Sequence, residues 1–75
     1  HVLDGFRLDA ENNLWTSCGK GVACYSPIGE QIGYIKIPEL VSNVDFGGIE
    51  GNTLFITAST SLYMANLNIK GAKYK

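Results

Sequence analysis

Two copies of one pattern, forty residues apart, constrain the fold of this 75-residue chain more than any other feature. LWTSC at residues 14–18 aligns with LFITA at residues 54–58, and GVACY at residues 21–25 aligns with SLYMA at residues 61–65. Repeats of about 40–45 residues with four strands each are typical of the blades of a β-propeller. A hairpin-rich β-sandwich is the alternative, because two copies are few.

Short β-branched and aromatic segments alternate with Gly and Asn along the whole chain. Gly and Asn tolerate positive φ and therefore mark turns, here at residues 12–13, 19–20, 28–29 and 51–52. No stretch keeps a helical period. The sequence therefore predicts an all-β chain with seven strands: Gly5–Asp9, Leu14–Cys18, Gly21–Tyr25, Gln31–Ile37, Val44–Gly47, Leu54–Ser59 and Ser61–Leu67.

These strands place the whole chain, residues 1–75, in a single partial propeller domain. Residues 3–39 form a four-stranded first blade, residues 40–69 form a second blade with only three strands, and residues 70–75 are a Lys-rich tail. Two antiparallel blades make an incomplete ring, since propellers need about four to eight blades. The chain is thus expected either to be part of a longer protein with further N-terminal blades or to self-associate.

The charge balance excludes some classes of partner. A formal net charge of −1 offers no basic face that could neutralise phosphates, so nucleic acid is not an expected partner. The one cationic cluster, Lys70, Lys73 and Lys75, is expected to be a solvated end. No apolar run approaches the ~20 residues that span a bilayer, so no membrane partner is expected either.

The chain has two cysteines, Cys18 and Cys24, which could form a disulfide only if their sulfur atoms meet. If Gly19-Lys20 is a hairpin turn, Cys18 faces Gly21 and Cys24 faces Trp15, so the two sulfur atoms do not meet. Two free, buried or half-buried thiols are predicted. Free thiols fit a reducing compartment, and a cytoplasmic location is the expectation that follows.

Three segments in order resemble a known family: LDGFRLDAENNLWTS, YSPIGEQIG and SNVDFGGIEGNTLFITASTSLY. They are similar to the gluconolactonase / senescence marker protein / luciferin-regenerating enzyme family. Its pattern runs P-D-G-x-x-x-D-x-x-G-N-L-W, then D-P-x-G-E, then T/S-N-x-x-F-G-G and L-x-x-T. The resemblance covers nearly all of residues 2–69 and lies closest to the gluconolactonase-like branch. It implies the C-terminal third of a six-bladed propeller that hydrolyses lactones with a divalent cation in its central channel.

The candidate site follows from the repeat and from the resemblance. With one residue of slippage, Val2-Leu3-Asp4 aligns with Val41-Ser42-Asn43, so Asp4 and Asn43 are expected to point toward one central axis. The resemblance implies that Asp4 is a metal ligand and the base that activates water. The cation would be Ca²⁺, with Mg²⁺, Mn²⁺ or Zn²⁺ as alternatives, and the substrate a small-molecule lactone. Asn43 would line the substrate pocket.

Other polar and aromatic side chains have structural interpretations. Asp9 is expected to cap a turn. Arg7 is a candidate for the substrate pocket, although a pairing with Asp9 is favoured. Trp15 and Phe55 occupy equivalent places in the two copies and are expected to form the core between blades.

Departures from the family pattern limit what the resemblance implies. Leu3 replaces a proline, Asn12 replaces a turn glycine, and Asp45 is unusual before Phe46. The family's other metal ligands, a glutamate and an asparagine, come from blades outside this chain. The isolated chain is therefore expected to be inactive. Two alternatives stay open: a non-catalytic propeller scaffold or interaction module, and a half-size chain of which three copies rebuild a six-bladed ring.

Overall fold

A computed structural model of the chain describes residues 5–74, and the first half of this range is a four-stranded antiparallel meander. Its strands are β1 (Phe6–Leu8), β2 (Leu14–Ser17), β3 (Gly21–Tyr25) and β4 (Gln31–Lys36), in the spatial order β1-β2-β3-β4. The pairing of Trp15 with Cys24 is the one that the predicted hairpin turn at Gly19 requires.

The second half is a three-stranded antiparallel meander. Its strands are β5 (Val41–Gly47), β6 (Thr53–Ala58) and β7 (Leu62–Asn66), in the spatial order β5-β6-β7. All seven predicted strands are present, and the all-β prediction is confirmed. The two sheets do not close a ring.

One strand boundary departs clearly from the prediction. Strand β5 begins at Val41 and not at Val44, so Asn43 lies within the strand and does not precede it. The pairing of β5 with β6 shifts register between Val41 and Asn43, which marks a β-bulge. A strand is recognised in a sequence by alternating apolar and polar residues. The extra residue of a bulge interrupts this alternation, so the first three residues of β5 were not predicted as strand.

The core lies between the two sheets. Val22 of β3 and Ile37, which directly follows β4, pack against apolar side chains of the second sheet: Val41, Val44, Phe46, Leu54 and Ile56. Trp15 joins them edge-on, with its ring centroid 6.3 Å from that of Phe46. The expectation that Trp15 forms core between the two sheets is confirmed.

The segment after β7 returns to the two sheets. Gly71 is buried, forms an isolated β-bridge with Asp9, and donates its N–H to the carbonyl of Gly51 at 3.0 Å. A short 3-10 helix, Ala72–Tyr74, follows, and the Tyr74 hydroxyl donates to the Phe46 carbonyl at 3.3 Å. The two described lysines of the cationic cluster, Lys70 and Lys73, are exposed, as expected, although the backbone of the segment packs on the turns of both sheets.

Cys18 is half-buried and Cys24 is buried, and both thiols are free, as predicted. Burial raises the pKa of the Cys24 thiol above its ordinary value, and the nearby Asp9 charge raises it further. This thiol is thus a packing group. In the part of the chain that the structure describes, no helix has the length and apolar character that crossing a bilayer requires.

Candidate functional site

The first strands of the two sheets, β1 and β5, lie next to each other and enclose a cavity of about 120 Å³. Two of the residues proposed for the substrate pocket, Arg7 and Asn43, both line it. The full lining is Arg7, Asn43, Val44, Asp45, Phe55 and Thr57. We refer to it as the strand-edge cavity. Phe55 does not join the core with Trp15, and its ring forms a wall of this cavity instead.

The third predicted site residue, Asp4, lies outside the described residues. Its neighbour Gly5 is held against β2, because Ser17 donates its N–H to the Gly5 carbonyl at 2.9 Å and Gly5 donates its N–H to Ser17 Oγ at 3.2 Å. A methyl group on Gly5 would overlap the side chain of Asn43. The backbone that adjoins Asp4 therefore directly contacts Asn43, and only glycine allows this approach.

The strand registers correct the alignment of Asp4 with Asn43. Trp15 and Phe55 are equivalent, and they pair with Arg7 and Asp45 respectively, so Arg7 is the counterpart of Asp45. By the same count, Asn43 is the counterpart of Gly5 and not of Asp4. The cause is the connection between the first two strands of each sheet: Phe46 pairs with Leu54 and Leu8 pairs with Leu14, so the connection after β5 is two residues longer, whereas the alignment allowed a slippage of one. The repeat therefore does not place Asp4 and Asn43 at matching positions.

The Asn43 side chain is exposed and turned back on its own strand. Its Oδ1 accepts the N–H of Val44 at 2.8 Å, and the Thr57 hydroxyl donates to its carbonyl at 3.3 Å. Among the described residues, Nδ2 of Asn43 has no hydrogen-bond acceptor. The group that it can offer to a ligand is therefore a donor.

Asp9 caps the turn after β1, as predicted, and this role explains why it does not pair with Arg7. Its carboxylate is buried and accepts hydrogen bonds of 2.9 Å from the N–H groups of Glu11 and Asn13, from Asn13 Nδ2 and from Trp15 Nε1. Burial raises the Asp9 pKa, but the hydrogen bonds, that from Trp15 foremost, outweigh it and lower the pKa overall. The expected pairing with Arg7 is wrong, because four donors already occupy this carboxylate.

Arg7 pairs with Asp45 across the two sheets. Its Nε lies 3.1 Å from Asp45 Oδ1, and its Nη1 donates to the Phe6 carbonyl at 2.6 Å. Lys73 Nζ reaches the same Asp45 oxygen at 3.0 Å. Burial raises the Asp45 pKa, but the hydrogen bond and charge of Lys73 and then the charge of Arg7 lower it overall. We call Arg7, Asp45 and Lys73 the ion trio.

A second cavity, of about 250 Å³, is lined by all three residues of the ion trio. Apolar side chains make up most of its wall, and the lining is Phe6, Arg7, Leu8, Asp45, Phe46, Gly71, Ala72 and Lys73. Arg7 and Asp45 line both cavities, so they form a wall that the two cavities share.

Sequence reasoning did not select Asp45, Lys73 or Thr57 as site residues. The one available signal was that Asp45 departs from the family pattern immediately before Phe46-Gly47. Lys73 carried no signal, because only the return of the chain after β7 brings it to β5.

The described residues do not form a metal centre by themselves. Within residues 5–74, no three His, Cys, Asp or Glu side chains are grouped so that they could hold an ion. Asp9 and Asp45 also do not fit such a role, because Asp9 caps a turn and Asp45 is paired with two cations.

Two blade-like antiparallel meanders that pack on each other through an apolar core define the class, a portion of a β-propeller. The chain belongs to the SMP-30/Gluconolactonase/LRE-like family, whose model matches residues 1–60. It is similar to an X-ray structure assigned provisionally as a gluconolactonase, with 40% sequence identity and a TM-score of 0.89. The match covers 92% of this chain and 24% of that chain, so this chain spans about a quarter of that protein. Comparison with curated proteins gave no match.

Proposed function

We propose that this chain is part of a metal-dependent lactone hydrolase of the gluconolactonase type, acting on a sugar lactone. Membership of the family and the 40% identity to a relative assigned as a gluconolactonase support the reaction class. The observation that carries the proposal is the meeting of Gly5, Arg7 and Asn43 at the edge between the two sheets. The backbone next to Asp4 and the two pocket candidates lie there side by side.

The proposed roles follow the family resemblance residue by residue. Asp4 serves as a ligand to a divalent cation, Ca²⁺ or alternatively Mg²⁺, Mn²⁺ or Zn²⁺, and as the base for water. Such a cation supplies polarisation of the lactone carbonyl. Asn43 donates through Nδ2 to a substrate oxygen, and Arg7 contributes a cationic wall to the pocket. The further metal ligands come from blades outside residues 1–75.

A test of this proposal measures acid release from glucono-1,5-lactone by the chain at high concentration, with Ca²⁺ and with a chelator. Asp4→Asn removes the proposed ligand, and Glu11→Gln is the matched control, since Glu11 is an exposed carboxylate near the same strand. Chelator-sensitive hydrolysis that Asp4→Asn abolishes and Glu11→Gln retains would support the proposal. Hydrolysis that Asp4→Asn leaves unchanged would overturn it.

Apolar side chains on the outer sheet faces favour a second function, that of a module that assembles with further blades or with itself. Phe6, Leu8 and Tyr34 alternate onto the outer face of the first sheet and are 57%, 44% and 49% exposed. Leu62 and Met64 lie on the outer face of the second sheet and are 60% and 68% exposed. Exposed apolar faces of this kind mark surfaces that pack against another blade or another chain.

The repeat shows how two copies would fit together. The outer face of the second sheet, which carries Phe55, is equivalent to the face of the first sheet that carries Trp15. That Trp15 face packs on the second sheet within one chain. The outer face of one copy can therefore pack on the first sheet of the next in the same way, and three copies would supply six blades.

Sedimentation of the chain tests this assembly. A particle of three times the 8.1 kDa chain mass is expected, and Met64→Glu is expected to dissociate it. Ile49→Glu is the control, because Ile49 is fully exposed in a turn outside both faces. A folded monomer would exclude self-assembly. A folded trimer without chelator-sensitive hydrolysis would favour the non-catalytic scaffold over the enzyme.

A further inference from the structure

The strand-edge cavity has an unusual wall for the binding of a neutral sugar lactone, because a guanidinium group forms part of it. Its other polar groups are the Asn43 amide, the Thr57 hydroxyl and the Asp45 carboxylate. At about 120 Å³ it is smaller than the ~300–1,000 Å³ of a typical ligand pocket, so it suits one end of a ligand.

The Arg7 guanidinium is oriented before any ligand arrives. A guanidinium has five N–H donors in a rigid fork. The bond from Nε to Asp45 and that from Nη1 to the Phe6 carbonyl use two of them. Within residues 5–74 the other three donors have no acceptor.

The ion trio retains a positive charge. Arg7 and Lys73 share a single oxygen of Asp45, at 3.1 and 3.0 Å, so two cations share one carboxylate. Because Lys73 takes part of the Asp45 charge, Arg7 is only partly neutralised. The cavity wall therefore combines a guanidinium group that Asp45 neutralises only in part with two neutral hydrogen-bonding groups, the Asn43 amide and the Thr57 hydroxyl.

We propose that the strand-edge cavity is a carboxylate subsite, in which Arg7 binds the carboxylate of a hydroxylated acid and Asp45 is the positioning residue for Arg7. Guanidinium forks match carboxylates in a bidentate geometry. The Asn43 Nδ2 and the Thr57 hydroxyl then contact the hydroxyl groups next to the carboxylate. The inference rests on the proposed function, since a hydroxy acid is the product of lactone hydrolysis. The same chemistry also fits a lactone that carries a second carboxylate.

The test is a titration of the chain followed by NMR, with the Arg7 Nε–H and the Asn43 side-chain amide as reporters. Gluconate represents the product acid, glucaro-1,4-lactone represents a lactone with a carboxylate, and sorbitol is the uncharged control. We expect gluconate to bind with a Kd of about 1 mM at low salt and to weaken as salt is added, while sorbitol causes no shift. Binding of glucaro-1,4-lactone as well would identify a carboxylate-bearing substrate, and binding of gluconate alone would identify the product.

Variants separate the role of Arg7 from a merely structural one. Arg7→Gln should weaken gluconate binding about fivefold or more. Asp45→Asn keeps an acceptor for Arg7 and removes the negative charge, so it should bind gluconate more tightly than the native chain. Asp45→Leu removes the acceptor as well and should bind more weakly.

Two lysine variants provide a test that does not alter the cavity wall. Lys73→Gln leaves Asp45 to neutralise Arg7 more fully, so gluconate affinity should fall about twofold to threefold. Lys70→Gln removes the same charge from an exposed side chain without a carboxylate partner among the described residues, and affinity should stay unchanged. Shifts of equal size with sorbitol, or equal gluconate affinity in Arg7→Gln and the native chain, would overturn the proposal. Binding needs neither metal nor turnover, so its failure is distinguishable from failure of lactone hydrolysis.

Discussion

Replacement of Asp9 by Asn should strongly destabilise the first sheet, although it changes only one atom of the side chain. The amide oxygen can still accept from the N–H groups of Glu11 and Asn13, which already share the single oxygen Oδ1 in the native chain. The amide NH₂, however, faces two other donors, Asn13 Nδ2 and Trp15 Nε1. Both of those hydrogen bonds are lost.

The size of the effect follows from these two bonds. A hydrogen bond to a charged group contributes about 1.5–3 kcal/mol to stability. Asn13 and Trp15 are half-buried, so water can solvate their donors in part, and the expected loss is about 2–4 kcal/mol. Domains of this size have total stabilities near the lower end of about 5–15 kcal/mol. The variant is therefore expected to lose a large fraction of its free energy of unfolding.

Urea unfolding followed by Trp15 fluorescence measures this loss, because Trp15 is the single tryptophan and its indole contacts the altered group. Glu11→Gln, which alters an exposed carboxylate, should stay within about 0.5 kcal/mol of the native chain. The Asp9 pKa is lowered on folding, so its stabilisation is present above the unfolded pKa of about 3.9 and is lost as pH falls through the folded pKa. The difference between native and Asp9→Asn chains should therefore shrink below about pH 4.

A loss of less than about 1 kcal/mol in Asp9→Asn at pH 7 would refute this reasoning. A difference between the two chains that stays constant from pH 7 to pH 3 would do so as well, because it would show that the carboxylate charge contributes nothing.

Three further perturbations test the packing between the sheets, the loop that contains Glu39 and the segment after β7. Leu54→Ala empties a fully buried position between the sheets and should lower the free energy of unfolding by about 2–5 kcal/mol, as measured by urea titration. The hydrogen bond from Tyr63 foremost, and those from Ser61 and Thr60, lower the Glu39 pKa to about 2. Protection of its loop against hydrogen exchange, taken relative to the intrinsic exchange rate at each pH, should fall as pH falls from about 4.5 toward 2, and Glu39→Gln should remove this acid dependence. Gly71→Ala places a methyl group into the Phe46 side chain, so the last segment should detach, which NMR shifts of residues 71–74 would report; unchanged shifts would show that the contact is not needed.

The strand content of this protein could be predicted from its sequence, because the relevant information is local. Alternation in β4 and the turn residues at positions 19 and 51 depend only on neighbours along the chain. The free thiols followed from the same local pairing, since a hairpin with its turn at Gly19 opposes Cys24 to Trp15. The motifs of the family also lie in short segments and led to the correct family.

The candidate site could be predicted only in part. Arg7 and Asn43 were selected separately, and the structure brings them to one cavity. The predicted pairing of Arg7 with Asp9 was wrong. Asp9 lies only two residues away in sequence, but its carboxylate already accepts four hydrogen bonds from its own turn and from Trp15. The alignment of Asn43 was wrong by one residue, because the connection from β5 to β6 is two residues longer than that from β1 to β2 and the alignment allowed for only one.

The sequence by itself determined where this chain makes strands and turns, since those depend on neighbouring residues, and which family it belongs to, since the family pattern is carried by short segments in a fixed order. Tertiary structure alone decided the charge chemistry of the cavity. Arg7, Asp45 and Lys73 are separated by more than twenty residues from one another, and no local pattern relates them. They meet because the two sheets pack through an apolar core and the chain after β7 returns to β5, which brings two cations to one carboxylate oxygen.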